Sequence, residues 1–283
     1  METQIIKPRS YVSCLYEGLS YPLTHFTLIA RFVWPVALIY IVLSLAVTLL
    51  ALKLLAGQNT ALVVTVSVLE LSDLLGFSFY LGHVVWQQRK IVEVGYIPRV
   101  WPWQVWREMR TPMLRSLICM VLVDVLLFLA FGALVLGYVL GLRFLMWLSP
   151  VPVVLSFFLL PVMQHYLFST DSFSTSLDTF RFRYLWRLLA ISLLSGFVML
   201  LVLFVGALPL GLTTYIDVQS MMAAAVGDTT GVPGYFPVLR ILAVCILQFV
   251  ALFAGLLVLY PQLFHWGAVT AIEKERQERL SEV

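Results

Sequence analysis

Six stretches of this chain are apolar for twenty or more residues with only sparse charges: 26 to 52, 60 to 87, 113 to 140, 144 to 168, 185 to 211 and 236 to 266. A helix needs roughly 20 apolar residues to cross a hydrocarbon core of about 30 Å, so each stretch predicts one transmembrane helix. Only Gly141, Leu142 and Arg143 separate the third from the fourth. One helix through both would be far too long for a single crossing, and Ser149, Pro150 and Pro152 disturb its second half. The pattern therefore predicts a tight hairpin there. Between the apolar stretches lie shorter segments of mixed character. Phe173, Leu177, Phe180 and Tyr184 recur at spacings of four, three and four behind Asp171 and Ser172, which are good N-caps. The segment holding Trp101, Trp103 and Trp106 also carries Arg99, Arg107 and Arg110, a mixture suited to the headgroup layer. Tyr11, Leu15 and Leu19 form a less regular third case, whose helix Pro22 is expected to break before the membrane.

Composition agrees with this pattern. Of 283 residues, 61% are hydrophobic and 12% charged, about half the charge of an ordinary soluble domain. Spanning helices solve the problem of so much apolar surface, because they keep their backbone hydrogen bonds internal while exposing side chains to lipid. The first 24 residues hold Glu2, Lys7, Arg9 and Glu17 with no short apolar core, so the first span is expected to be retained rather than cleaved. Lysine and arginine favour cytoplasmic flanks. Fifteen of them fall in the N-terminal region counted through Arg31, in 88 to 115, in 169 to 187 and in the C-terminal region, against Lys53, Arg143 and Arg240 on the other side. Both termini are therefore expected in the cytoplasm, with which an even number of spans agrees because it leaves both ends on one side, and the expected location is the cell inner membrane. Membrane lipids, and other membrane proteins, are the expected partners. The net charge of +3 arises from local clusters, which argues against nucleic acid.

The six spans pair into three hairpins that share two markers. Arg31, Arg115 and Arg187 stand at the mouths of the odd spans, in LIARFVWP, PMLRSLIC and YLWRLLAI. His83, His165 and His265 stand at the cytoplasmic ends of the even spans, in FYLGHVVW, PVMQHYLF and PQLFHWGA. The expected architecture is all-α: a polytopic bundle of six transmembrane helices arranged as three hairpin repeats with interfacial amphipathic helices. The repeats cover about 10–88, 98–168 and 171–268 of a single membrane domain, with a charged tail at 269–283 and an outer loop near 212 to 235 inserted in the third.

The stretch LPVMQHYLFSTDSFSTSLDTFRFRYLWRLL ends one span, passes through a Ser/Thr-rich amphipathic segment and opens an arginine-marked span. In this it resembles the membrane domain attached to some glycerophosphodiester phosphodiesterases, and related stand-alone six-span bacterial proteins. The catalytic chemistry of that family belongs to a separate soluble domain with no counterpart here. The resemblance implies a membrane component rather than the enzyme activity.

Three acids lie within spans, where a charge costs roughly 2.5–3.5 kcal/mol on insertion scales. Glu70 and Asp73 are three apart in LELSDLLG and share a helix face, and Asp124 is nine residues beyond Arg115. Asp73 and Asp124 are expected at similar depth. They break the repeat, since Leu155 and Gly255 stand where Asp73 does, and Tyr40 and Gly196 where Asp124 does. Two readings stay open: a protonatable or cation-binding site inside the bundle, or a hydrogen-bonded set that joins helices. Both expect the acids to point inward. The three arginines and three histidines are candidates for lipid-phosphate contact or for packing. Three imidazoles at one level raise zinc as a question, but a repeat places any residue at one level, and neither a metal site nor a cofactor is expected. Cys14, Cys119 and Cys245 have no CxxC spacing. Phosphate-loop, zincin and nucleophile-elbow motifs are absent, so an enzyme is not expected. The leading expectation is a non-enzymatic structural, accessory or regulatory envelope component. The alternative is a small transporter or channel for a proton-coupled or lipid-like solute.

Overall fold

The structure, a computed structural model, describes residues 5–56, 61–96, 100–170, 172–178, 182–226 and 233–281, and of residues 48–56, 61–71, 174, 177, 178, 182 and 183 the backbone alone. It is helical throughout, with no strand among the described residues: α1 (Tyr11–Thr24), α2 (Phe26–Ala56), α3 (Ala61–Val94), α4 (Trp106–Val139), α5 (Arg143–Leu148), α6 (Pro150–Phe168), α7 (Phe173–Asp178), α8 (Phe182–Ala225) and α9 (Phe236–Ser281). Five segments, Phe26–Val47, Trp106–Val139, Arg143–Phe168, Tyr184–Ala225 and Phe236–Ser281, are long and apolar enough to cross a membrane. The sixth expected span falls on α3, where the side chains of 61–71 lie outside those described. This mean composition, continued over several long helices, marks a multi-pass membrane protein.

The elements differ from the sequence reading in four places. Pro22 does not break α1, which runs on to Thr24 and turns only at His25. A proline in mid-helix costs one backbone bond, and here the turn of helix around it is held by contact with α9. The region read as a long outer loop begins as helix, since α8 continues through Pro209 to Ala225. Its outer turns are tied to α9 by Arg240 Nη1 donating to Asp217 Oδ2 at 2.8 Å. The charged tail is likewise a continuation of α9 to Ser281. In the tryptophan-rich segment a single 3-10 turn, Pro102–Gln104, precedes α4, and Trp106, Arg107 and Arg110 belong to the first turns of α4 itself. The hairpin between α4 and α5 forms as read: Gly141 has φ +67°, a left-handed turn conformation open to glycine at little cost.

Packing follows small residues. A Cβ on Gly18 would run into the backbone of Pro261, and one on Gly82 would lie 2.5 Å from Met113 Cα, so α1 crosses α9 and α3 crosses α4 at close range. The core is a cluster drawn from α1, α2, α3, α6, α8 and α9, including Ile29, Ile91, Ile191, Tyr260 and Phe264. α2 packs on α3, α4 on α6, and α8 on α9. Outside this core the long helices present exposed Leu, Val, Ile and Phe, as lipid-facing surfaces do.

Candidate functional site

Polar groups concentrate in two places, one within the bundle and one at the end marked by the arginines. Inside the bundle, Asp73 on α3 is half-buried and its Oδ2 accepts a hydrogen bond from the Tyr40 hydroxyl of α2 at 3.4 Å. Tyr40 also shares a side-chain hydrogen bond with Ser44, one turn along α2. Ser44 Oγ in turn accepts from Gln248 Nε2 of α9 at 3.2 Å. The four residues form one chain of bonds joining α9, α2 and α3 and ending on a carboxylate. Gly76, one turn from Asp73, lets Leu43 and Tyr40 of α2 lie close against α3. Asp73 Oδ1 and Gln248 Oε1 are buried without a hydrogen-bond partner. Such a chain polarises along its length, and a bare buried oxygen at either end is costly.

The other two acids do not join it. The side chain of Glu70 lies outside those described. Asp124 departs from the inward orientation expected of it: it is exposed on α4. The reason is the position of α4 at the edge of the bundle, packed chiefly on α3, α5 and α6, so that the face bearing Asp124 is left outward among the described residues.

At the other place, α6 ends at Phe168 and the chain leaves it in extended conformation at Ser169, with no glycine cap. The last carbonyls of a helix lack intrahelical partners and carry the negative end of its dipole. Arg115 of α4 meets them, with Nη1 donating to Tyr166 O at 2.8 Å and Ser169 O at 2.6 Å, and Nη2 to Thr170 O at 2.7 Å. Its guanidinium also lies 4.7 Å from the Tyr166 ring centre. Arg89 of α3 adds Nε to Leu167 O at 2.8 Å and Nη2 to Tyr166 O and Ser169 O. Burial, and then the charge of Arg115 beside it, push the Arg89 guanidinium down to about 10, so it stays protonated at neutral pH. Two cations thus hold one helix end. The other two marker arginines behave differently, since Arg31 and Arg187 are both exposed.

The histidines also part company. His83 is fully buried, and its Nε2 lies 3.1 Å from Phe32 O, to which it donates, while Nδ1 faces Met109 Sδ at 3.4 Å. His265 is buried with Nδ1 3.3 Å from Gln164 Oε1, and Gln164 Nε2 donates to Gln262 O. His165 accepts at Nδ1 from Trp266 Nε1 at 3.3 Å. Their partners differ: His83 bonds the backbone of α2, whereas His165 and His265 lie where the same turns of α6 and α9 meet. Among the described residues no group of three or more His, Cys, Asp or Glu is placed to hold a metal ion.

Sequence reasoning missed Arg89, Gln164, Gln248 and the role of Tyr40. Arg89 follows His83 by six residues at the end of the span, so its place near the helix end was available, but not its partner. The glutamines are uncharged and leave little mark on a hydropathy pattern. Beside these polar sites, a lateral groove of about 460 Å³ opens between α2 and the start of α4, lined by Pro35, Val36, Ile39, Phe79, Pro102, Trp103 and Trp106. Compared with known proteins, the chain matches no family model, no curated protein and no solved structure.

Proposed function

We propose that this chain is a non-enzymatic, multi-pass component of the cytoplasmic membrane with a structural, accessory or regulatory role. In this reading its six spans form three hairpins, α2 with α3, α4 with α5 and α6, and α8 with α9, and both termini and the Arg89–Arg115 end face the cytoplasm. The observation that carries it is the use made of the buried polar side chains. Arg89 and Arg115 close the end of α6, His83 bonds the α2 backbone, the Tyr80 hydroxyl donates to Leu252 O of α9 at 2.7 Å, and Gln164 bonds the α9 backbone. Each spends its bonding capacity on a neighbouring helix, as helix-joining residues in membranes do. The groove beside Trp103 and Trp106 is apolar and suits a lipid acyl chain, in keeping with lipids as partners.

A second reading, transport of a proton-coupled solute, is favoured by one observation, the chain from Gln248 to Asp73 with its bare terminal oxygens. Reconstitution in vesicles separates the two. The structural reading expects no flux driven by a pH gradient above that of protein-free vesicles, and Asp73→Asn to leave that baseline unchanged. A flux present in the native protein and abolished by Asp73→Asn, with folding intact, would establish transport instead.

A further inference from the structure

The outward face of α4 holds a group that the fold does not use. Leu114, Ile118, Val121, Val125 and Phe128 recur at helical spacing and are all exposed, Phe128 at 75%. Asp124 lies on the same side of the helix, exposed, with no hydrogen bond or ion pair to any described residue. Its depth follows from α3. Gly82 sits against Met113 and Ser78 Oγ meets Met120 Sδ at 3.5 Å, so α3 and α4 run antiparallel and Asp124 falls about level with Leu74. Measured from Arg115, it is nine residues further, about 14 Å at the helical rise, close to the midplane of a core about 30 Å thick.

We propose that this face of α4 is a docking surface for a transmembrane helix of another protein carrying a lysine or arginine near mid-membrane, and that Asp124 recognises that cation. The inference rests on the accessory reading above and names the class of partner. Lipid tails offer a carboxylate nothing, and aspartate is too short to reach the headgroups across such a distance, unlike lysine or arginine. Intramembrane charges face bundle interiors or pair with one another, and α4 alone provides neither. A second copy of this chain does not supply the counter-charge. Two copies related by an axis along the membrane normal meet at equal depth, Asp124 against Asp124. The chain's lysines and arginines cluster toward the span ends, with Lys53, Arg143 and Arg240 toward one side and the rest toward the other. The flanking Leu, Ile, Val and Phe supply the apolar contact such a helix needs, and the single acid supplies register.

The test uses the full-length protein, labelled with a fluorescent donor at its C-terminus and reconstituted in vesicles with acceptor-labelled designed helices. One helix is poly-leucine, a second carries one central lysine, and a third carries the lysine near its end. We expect energy transfer to the central-lysine helix to half-saturate at about tenfold lower peptide-to-lipid ratio than to the other two. Asp124→Leu and Asp124→Asn, changes at an exposed position that leave the fold intact by circular dichroism, remove that preference. Equal transfer to all three helices overturns the proposal, as does a preference that survives Asp124→Leu. Self-association that Asp124→Leu abolishes, without lysine preference, makes the occupant a second copy and also overturns it. None of these outcomes bears on the accessory reading, which fails separately if the native protein conducts a flux that Asp73→Asn abolishes.

Discussion

Arg89 and Arg115, from two different helices, donate to the same two carbonyl oxygens, those of Tyr166 and Ser169. Like charges side by side are tolerated there because the end of α6 presents several unpaired carbonyls and a negative dipole. The clamp ties α3, α4 and α6 together where no glycine cap ends the helix.

Removing one guanidinium should therefore leave carbonyls bare and free the helix end. Arg115→Ala is expected to lower stability by on the order of 3 kcal/mol, given that hydrogen bonds to charged groups contribute about 1.5–3 kcal/mol. Arg115→Lys, with one compact ammonium in place of a planar fork, should recover only part of it. Arg31→Ala and Arg187→Ala, at exposed positions, should cost far less. Thermal unfolding in detergent micelles reads all four variants, and equal losses would mean that the clamp is not what holds α6.

The crossing of α3 over α4 depends on Gly82, because a side chain there meets the backbone of Met113 rather than a movable group. Overpacking of this kind typically costs about 1–3 kcal/mol. Gly82→Leu is expected in that range, while Gly132→Leu, where a Cβ meets nothing, should be close to neutral. The same unfolding measurement checks both. At Gly18 the neighbour is the backbone of Pro261, so Gly18→Leu should lift α1 from α9 and speed hydrogen exchange along α1.

Cys14, on α1, is 1% exposed, and its thiol faces Phe264 O at 3.7 Å. Burial pushes it up to about 11 from 9.0, although Arg9 pulls the other way. A thiol held neutral in the fold but free to ionise when unfolded contributes stability below pH 9.0 that is lost as pH rises toward about 11. Alkylation by maleimide at pH 8 should be slow in the native protein and fast in denaturant. Rapid native labelling at Cys14 would show that α1 does not stay docked on α9.

Along the chain from Gln248 to Asp73, the Tyr40 hydroxyl is the one described donor to the carboxylate. Tyr40→Phe should destabilise more than Asp73→Asn, since the first leaves a half-buried carboxylate without its described donor and the second leaves an uncharged amide that can still accept and donate. The difference is expected at about 1–3 kcal/mol. The reverse order would mean that Asp73 finds its partner elsewhere.

The helices were legible because apolar length and charge spacing are properties of each segment alone. The α4–α5 hairpin was readable from Gly141 and the proline pair beyond it. What stayed hidden depends on which residues meet in space. Arg31, Arg115 and Arg187 look alike in sequence, but of the three only Arg115 is buried, against the end of α6 on which α4 packs. Asp73 and Asp124 were matched in depth, but depth carries no information about facing, which the placement of α4 at the bundle's edge decides. The span expected to end at 211 continues instead as α8 to Ala225, packed against α9.

Membrane placement is the central claim, and impermeant thiol labelling in intact cells tests it most directly. In a chain with Cys14, Cys119 and Cys245 replaced by alanine, single cysteines are placed at Ser10, Ser172 and Val226, all exposed. The account predicts that Val226→Cys, beyond the outer end of α8, labels from outside, whereas Ser10→Cys and Ser172→Cys label only after permeabilisation. Labelling of Ser172→Cys from outside in intact cells would contradict it, because the end of the bundle held by Arg89 and Arg115 would then face away from the cytoplasm.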